Sequence, residues 1–418
     1  MTVGGRGDVQ PIVALACGLK AAGHNVTVAT NPNFEELVGS YGLTLAPVGG
    51  DPLLALQQEE GQEWLETTDD PVGFVRRLYE VARPMLDGIL RDSMTACSGV
   101  DAVVATPLAL GGPHAAEVLG IPCVSAMLQP SYPTRTFPSP VASTAIRLGG
   151  AYNYLTHIAV KQLIWLCFRR SINRWRVRCG VGLAPITWPV KRRRHPHLCA
   201  FSELVVPRPW DWPRWVRPTG YWFVDSPSGW TPPNELSDFL ASGEPPVCIG
   251  FGSMKGRALE ALSRLVVAAV QRAKLRAVLL TGWGGLTSGD YTDDILALPA
   301  VPHDYLFPRV AAVVHHGGAG TTVAALRAGV PSFALLFALD QTFWGERIAM
   351  LGVGPAPIRQ AELSVARLAA NLDAAVRGHR YRAVSAEIGA RLRAEDGVGR
   401  AVATFEAAVS RGQTAAAS

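Results

Sequence analysis

VVHHGGAGTTVAALRAGVP, residues 313–331, is the stretch of sequence that decides the fold. A valine-rich run leads to two histidines and a glycine-rich turn, and a helical pattern follows that ends at Gly329 before Pro331. A strand, turn and helix in this order direct unpaired backbone N–H groups and the positive end of a helix dipole to one point. The stretch therefore predicts a phosphate-binding turn, with a plain tight turn between strand and helix as the alternative.

The two histidines favour the phosphate site, because their ring nitrogens add hydrogen-bond donors that packing does not need. Twenty-four residues beyond His316, Asp340 and Gln341 follow the next predicted strand. Consecutive parallel strands place their carboxyl ends at one edge of a sheet, so this acid and amide are expected beside the phosphate turn. A carboxylate and a primary amide in that position can hold the hydroxyl groups of a sugar.

Short β-rich runs alternate with helical stretches on both sides of residues 131–235, a segment crowded with proline and tryptophan. This alternation is typical of parallel βαβ units. We expect an α/β protein with two doubly wound, Rossmann-like domains: an N-terminal domain over residues 1–223 and a C-terminal domain over residues 224–384. Residues 385–418 are expected to form a last helix, over 386–408, and a polar tail.

A second glycine-rich turn, GGRGD (residues 4–8), begins almost at the first residue. A doubly wound domain has a buried strand before that turn, so the strand is missing, lies upstream, or is replaced by another segment. A carboxylate on such a turn, here Asp8, can serve as a general base, with an ordinary helix N-cap as the alternative. Pro11 is predicted at the first position of the following helix. His24, a rival base, fits a turn residue better.

Composition excludes several classes of protein. With 418 residues, 48% of them apolar and 17% charged, the chain can bury two large cores and is not a disordered protein. Its net charge of +5 gives little support to nucleic-acid binding. Seven scattered cysteines without a C-x-x-C pair argue against disulfides or a zinc site and favour a cytoplasmic location. Residues 158–168 are apolar but interrupted by Lys161, so we expect a helix that covers a core rather than a membrane anchor.

Seven segments in one order resemble the UDP-glycosyltransferase superfamily, and in particular its sterol glucosyltransferase-like and glycopeptide or macrolide glycosyltransferase branch. The resemblance runs nearly from end to end, and no single motif decides it. The segments are GGRGDVQP (4–11), LQPSYPTRTFPSP (128–140), INRWR (172–176), VVPRPWDWPRWVRPTGYWF (205–223), IGFGSM (249–254), VPHDYLFPRVAAVVHHGGAGTT (301–322) and DQTFWGERIAMLGVGP (340–355).

The resemblance implies a GT-B fold, in which an N-terminal domain that binds the acceptor and a C-terminal domain that binds the nucleotide sugar, both Rossmann-like, face each other across a cleft. The last helix would pack back on the N-terminal domain. The resemblance also implies roles for particular residues. In this chain Asp8 would be the general base, and Asp340 and Gln341 would bind the donor sugar. The residues that would bind the nucleotide and its diphosphate are Ser253, Val301, His316, Gly318, Ala319, Gly320 and Thr321.

The activity implied by the resemblance is inverting transfer of a hexose, with glucose favoured, from a UDP-sugar to a hydroxyl group of a sterol or other lipophilic natural product. The alternative is a catalytically weak nucleotide-sugar-binding or partner protein that retains the fold. The sequence has no D-x-D pair, so we expect no metal and no cofactor besides the donor substrate. We expect a monomer or weak dimer without a nucleic-acid partner. The basic run KRRRHPH (191–197) predicts a solvated surface, with peripheral contact to anionic lipid as the alternative.

Overall fold

The computed structural model describes residues 1–50, 71–142, 148–186, 196–227, 229–251, 259–282, 292–337 and 340–416. Strands and helices alternate along the chain, and every strand pairing is parallel, which confirms the predicted α/β class. The chain divides into two compact units, Met1–Val224 with Glu395–Ser418 as unit one and Asp225–Ala394 as unit two. These bounds differ from the predicted ones mainly at residues 385–394, which fold with unit two.

The strands of unit one form a two-stranded group, β1 with β2, and a four-stranded group in the order β3-β4-β5-β6. Their bounds are Thr27–Thr30 (β1), Thr44–Pro47 (β2), Val103–Ala105 (β3), Cys123–Met127 (β4), His197–Cys199 (β5) and Val216–Pro218 (β6). Burial of one or both faces of these strands explains their β-branched and small apolar residues.

The first residues of the chain occupy the position between these two groups of strands. The Met1 amine donates to the Val104 carbonyl oxygen at 2.6 Å, and the Thr106 N–H donates to the Met1 carbonyl at 3.1 Å. On the other side the Thr2 N–H donates to the Ala29 carbonyl at 2.9 Å. Residues 1–3 therefore occupy the position of the expected first strand. With β1 and β2 on one side of them and β3 to β6 on the other, unit one has the doubly wound strand order.

The helices of unit one lie on both faces of these strands. Their bounds are Arg6–Ala21 (α1), Glu35–Gly39 (α2), Pro71–Cys97 (α3), Gly111–Leu119 (α4), Gly150–Arg178 (α5) and, at the end of the chain, Gly397–Ala416 (α13). Trp165, Phe168 and Ile172 on α5 are buried against residues of α3 and α4, so the apolar segment 158–168 does belong to a core-covering helix. Among the described residues, no helix is both long and apolar enough to cross a bilayer.

Unit two contains a six-stranded sheet in the order β12-β11-β10-β7-β8-β9. The strands are Val247–Gly250 (β7), Ala277–Leu280 (β8), Ile295–Leu298 (β9), Ala312–His315 (β10), Ser332–Leu336 (β11) and Ile358–Arg359 (β12). The helices are Asn234–Ala241 (α6), Leu259–Ala273 (α7), His303–Leu306 (α8), Ala319–Ala328 (α9), Gln341–Leu351 (α10), Val365–Arg377 (α11) and His379–Arg393 (α12). Val266 and Leu372 are buried on one face of the sheet, and Leu306 and Ala325 on the other.

The end of the chain differs from the single helix predicted over residues 386–408. The helix α12 ends at Arg393, and α13 begins at Gly397. Between them the Asp396 carboxylate accepts a hydrogen bond from the Gly399 N–H at 2.7 Å, which caps the start of α13. A Cβ atom at Gly397 would clash with the Tyr221 carbonyl oxygen, so glycine lets the start of α13 lie directly against the backbone at Tyr221.

Candidate functional site

The turn between β10 and α9 has the conformation that the sequence predicts for an anion site. Gly317 has a φ of +82°, and Gly318 is the N-cap of α9 without a side-chain hydrogen bond. The first intrahelical bond runs from the Thr322 N–H to the Gly318 carbonyl at 3.0 Å, so the N–H groups of Ala319, Gly320 and Thr321 have no acceptor within the helix. These N–H groups and the positive end of the helix dipole face the same point.

His316 lies against the start of this helix. A Cβ atom at Gly318 would come within 2.3 Å of the His316 Nε2 atom, so a glycine is required for the imidazole to lie there. Burial lowers the pKa of His316 to about 4, and the imidazole is therefore neutral near pH 7 in the ligand-free protein. Its Nδ1 atom is buried without a hydrogen-bond partner among the described residues. A neutral ring can donate one hydrogen bond to a phosphate at this position.

His315, the neighbouring histidine, has a different environment. It is fully buried at the end of β10, and its Nδ1 atom accepts a hydrogen bond from the Gly317 N–H at 3.0 Å. Burial, followed by the neighbouring His316 and His303, lowers the pKa of His315 to about 3. The ring is thus a neutral acceptor that fixes the turn. No sequence pattern indicates this role, because it depends on the orientation of the imidazole ring.

The start of α10 lies beside the turn, as the sequence predicts. A Cβ atom at Gly317 would come within 2.9 Å of the Gln341 backbone oxygen, so only glycine permits this close approach. The Gln341 side chain is buried, and its Oε1 atom accepts a hydrogen bond from the Phe337 N–H at 2.7 Å. Asp340 occupies the N-cap position of α10 and is partly exposed. The β10–α9 turn and the start of α10 therefore place the N–H groups of α9, an imidazole and a carboxylate in one region of unit two.

Of the two remaining residues of the predicted nucleotide site, Val301 and Ser253, the structure describes only Val301. Val301 is buried with Leu306 and Phe307 in the core of unit two, so its side chain packs and only its backbone can face a base. The ring of His303 stacks on Phe307 with centroids 4.3 Å apart. Ser253 lies outside the described residues.

Asp8 belongs to unit one, at the third position of α1. Its Oδ2 atom accepts a hydrogen bond from the Gly5 N–H at 3.0 Å, and its backbone carbonyl accepts one from the Thr2 hydroxyl at 3.1 Å. A Cβ atom at Gly4, which has a φ of +144°, would come within 2.3 Å of Oδ2. This turn follows directly on residues 1–3, the segment that fills the first-strand position.

The helix α1 begins earlier than the sequence predicts. The helix begins at Arg6 rather than at Pro11, because the bond between Asp8 and the Gly5 N–H closes its first turn. The carboxylate of Asp8 therefore caps the helix from within its first turn and is not itself the N-cap. His24 lies in the segment between α1 and β1, where its Nε2 atom is 3.0 Å from the Glu406 carboxylate. It contacts the final helix and not the Asp8 turn.

Comparison with known proteins identifies the family. Residues 1–138 match the glycosyltransferase family 28 N-terminal domain, and residues 288–402 match the erythromycin biosynthesis protein CIII-like C-terminal domain. The chain belongs to the UDP-glycosyltransferase superfamily. The phosphate turn lies in the second matched region, and the Asp8 turn lies in the first.

Similar proteins include two fungal sterol 3-beta-glucosyltransferases. The protein of Emericella nidulans is 38% identical over 418 residues, and that of Aspergillus fumigatus is 37% identical over 417 residues. Each alignment covers 96% of this chain but only 29% of the relative. The chain thus spans less than a third of the length of these curated relatives.

Solved structures with the same fold include several glycosyltransferases. The calicheamicin glycosyltransferase CalG4 has a TM-score of 0.67 at 19% identity, with 98% of this chain and 97% of that chain covered. The spinosyn forosaminyltransferase SpnP has a TM-score of 0.68 at 20% identity, with 96% of each chain covered. The glycosyltransferase VinC, solved in complex with dTDP, has a TM-score of 0.65 at 20% identity, with 98% of each chain covered. These similarities confirm the GT-B fold.

Proposed function

We propose that this protein is an inverting glycosyltransferase that moves a hexose, with glucose preferred, from a UDP-sugar to a hydroxyl group of a sterol or other lipophilic natural product. The observation that carries the proposal is the close approach of Gly317 to Gln341, the residue after Asp340. It brings the start of α9, whose first N–H groups have no acceptor within the helix, next to the start of α10. A diphosphate and the sugar attached to it need N–H donors and a carboxylate side by side. The names of the fungal relatives support glucose as the sugar and a sterol as the acceptor.

The diphosphate is assigned to the N-terminus of α9 and to His316. The N–H groups of Ala319, Gly320 and Thr321 can each donate to a phosphate oxygen, and Gly318 leaves the backbone accessible. As the bond to the sugar breaks, negative charge develops on the departing UDP, and donors fixed in advance stabilise that charge. These groups supply the stabilisation without a metal ion, and we therefore expect transfer to persist when EDTA is present.

The donor sugar is assigned to Asp340, with Gln341 as its neighbour. The Asp340 carboxylate can accept hydrogen bonds from two sugar hydroxyls. The Oε1 atom of Gln341 is occupied by the Phe337 N–H, so any contact of Gln341 with the sugar would use its amide NH₂ group. Val301 would contribute its backbone to uracil binding, because its side chain is part of the core.

Asp8 is assigned the role of general base. The acceptor hydroxyl oxygen attacks the anomeric carbon, the bond from that carbon to the UDP oxygen breaks, and the hydroxyl proton passes to the Asp8 carboxylate. The hydrogen bond from Gly5 and the close fit against Gly4 hold the carboxylate in one orientation. A base held in this way can accept a proton without first losing rotamer freedom.

Location and assembly are also proposals. A cytoplasmic location agrees with the seven cysteines, all of which are free thiols in the structure. A monomer or weak dimer is expected, and light scattering after gel filtration measures this directly. Nucleic acid is not proposed as a partner.

One experiment separates the enzyme from the non-catalytic alternative. Purified protein is titrated with UDP by calorimetry and is then incubated with UDP-glucose and a sterol, with the products analysed by mass spectrometry. The proposal expects UDP binding and a glucosylated sterol, in the presence of EDTA as well as without it. Normal UDP binding without a glycosylated product from any sterol or macrolide acceptor would favour a nucleotide-sugar-binding protein instead.

A further inference from the structure

Charge is distributed very unevenly along this chain. Residues 118–202 contain twelve lysines and arginines and not one aspartate or glutamate. In the rest of the chain the other 27 of the 39 basic residues are outnumbered by 34 acidic residues, although the whole chain has a net charge of only +5. The small net charge therefore conceals a strongly basic segment, and α5 is its longest described element.

The helix α5 has an inner and an outer face of different character. Its inner face packs on unit one through buried residues such as Trp165 and Phe168. On its outer face Leu155, Ala159 and Leu166 follow one another at intervals of four and seven residues, so they form one line along the helix. Both leucines are exposed, Leu155 by 62% and Leu166 by 50%.

The segment that follows α5 extends this apolar line. The Gln162 amide donates to the Ile186 carbonyl at 3.0 Å, and the Trp165 indole N–H donates to the Pro185 carbonyl at 3.0 Å. These bonds hold the segment on the helix, where the side chains of Leu183 and Ile186 are 65% and 64% exposed. The outer α5 surface therefore consists of four exposed large apolar side chains, those of Leu155, Leu166, Leu183 and Ile186.

Arginines adjoin this surface. Arg170, Arg174 and Arg178 on α5 are exposed, and none of them pairs with a carboxylate in the part of the chain that the structure describes. Arg176 differs, because it is buried and bonded to Glu117 at 2.9 Å. The outer α5 surface and the arginines beside it thus combine exposed apolar side chains with uncompensated positive charge, whereas an ordinary solvent-facing helix carries charged residues of both signs.

We propose that the outer α5 surface docks on an anionic lipid bilayer. Leucine side chains can enter the boundary between headgroups and acyl chains while arginines at the same depth bind lipid phosphates. A nucleic acid would use the arginines but leave the leucines in water. A second copy of the chain would bring two positive surfaces together. The proposal rests on the proposed function in one respect only: an anchored enzyme can reach an acceptor that resides in the bilayer.

The test is co-sedimentation of the full chain with vesicles at low salt. One vesicle population is phosphatidylcholine alone, and the other has about two parts phosphatidylcholine to one part phosphatidylglycerol. We expect binding to the anionic vesicles that is weakened by salt, because charge attraction over this surface is screened. The double variant Arg170→Gln/Arg174→Gln should bind about 25-fold more weakly, at roughly fivefold for each arginine removed. The variant Leu155→Ser/Leu166→Ser should lose about tenfold or more.

Matched controls lie in unit two. Met350→Ser removes another exposed apolar side chain, and Arg380→Gln/Arg382→Gln removes two exposed arginines of α12, and both variants should bind vesicles as the wild type does. Thermal unfolding of every variant checks that it is folded. Absence of vesicle binding, equal binding to both vesicle types, or equal losses in the control variants would overturn the proposal. Binding to duplex DNA without binding to vesicles would assign the segment to nucleic acid. UDP calorimetry on the same proteins tests the donor site separately, so failure of one proposal is not failure of the other.

Discussion

In each of the two glycine-rich turns of this protein a glycine makes room for a side chain, but the groups that the two turns present are opposite in character. At residues 4–8 in unit one, Gly4 makes room for the Asp8 carboxylate, which bonds back to the turn. At residues 316–320 in unit two, Gly318 makes room for the His316 imidazole, and the N–H groups of the helix start stay without intrahelical acceptors. One turn thus presents a negative group that can accept a proton, and the other presents donors for an anion.

Similar strand, turn and helix segments can therefore carry a catalytic base in one unit and bind the donor substrate in the other. If this division is correct, variants in the first turn change the rate of transfer and variants in the second change donor affinity. Variants of the two turns can therefore test the division in a single set of measurements.

The largest expected effect is at Asp8. The substitution Asp8→Asn keeps the size of the side chain and an oxygen that can accept from Gly5, but it removes the proton acceptor. We expect the transfer rate to fall by roughly 10²–10⁴-fold while UDP affinity stays nearly unchanged. Steady-state kinetics with UDP-glucose and calorimetry with UDP measure the two quantities. Transfer at the wild-type rate would assign the base to another residue.

The second-largest expected effect is that of a substitution at His316. The substitution His316→Ala removes a hydrogen-bond donor at the anion site, and we expect UDP binding to weaken by about 1.5–3 kcal/mol. Because a bound diphosphate favours the protonated imidazole, UDP binding should take up protons above pH 4, and calorimetry in buffers of different ionisation enthalpy measures this uptake. His379→Ala, an exposed histidine on α12, is the matched control. Equal UDP affinity in the two variants would contradict the assignment.

Stability should depend on pH through buried histidines in both units: His157 in unit one, and His315 together with His316 in unit two. Burial lowers the pKa of His157 in unit one to about 4 and that of His315 in unit two to about 3, against 6.5 for the free side chain. Below about pH 6.5 the unfolded chain binds protons that the folded protein does not, so the free energy of unfolding falls with falling pH. The slope should approach ~1.4 kcal/mol per pH unit for each histidine.

Urea unfolding between about pH 7 and pH 4.5 measures this dependence. The variants His157→Gln and His315→Asn should each reduce the slope, the first through unit one and the second through unit two. A profile that is unchanged in both variants would show that neither histidine is the cause.

The smallest expected effect is at His315. The substitution His315→Leu removes the acceptor of the Gly317 N–H, and the loss of this bond should weaken UDP binding by about 1 kcal/mol. His315→Asn should restore most of the affinity, because an Asn oxygen can accept from the N–H two residues later. Equal affinities in the Leu and Asn variants would mean that this bond does not position the turn.

The sequence predicted the β10 turn well because all of its parts lie within one short segment. Its strand, glycines and helix are contiguous, and the neighbouring loop follows from the rule that parallel strands end at one edge. The first strand could not be predicted, because three residues show no periodicity and their partners, Ala29 and Val104, are distant in sequence. The start of α1 was misplaced because it depends on a bond between Asp8 and Gly5 that no spacing reveals.

Calorimetric titration of UDP into the wild type, the Asp8→Asn variant and the His316→Ala variant tests the division between the two turns most directly. The account predicts equal affinity in the wild type and in Asp8→Asn, and about tenfold or weaker binding in His316→Ala. A wild type that does not bind UDP, or a His316→Ala variant that binds it as tightly as the wild type does, would contradict the account.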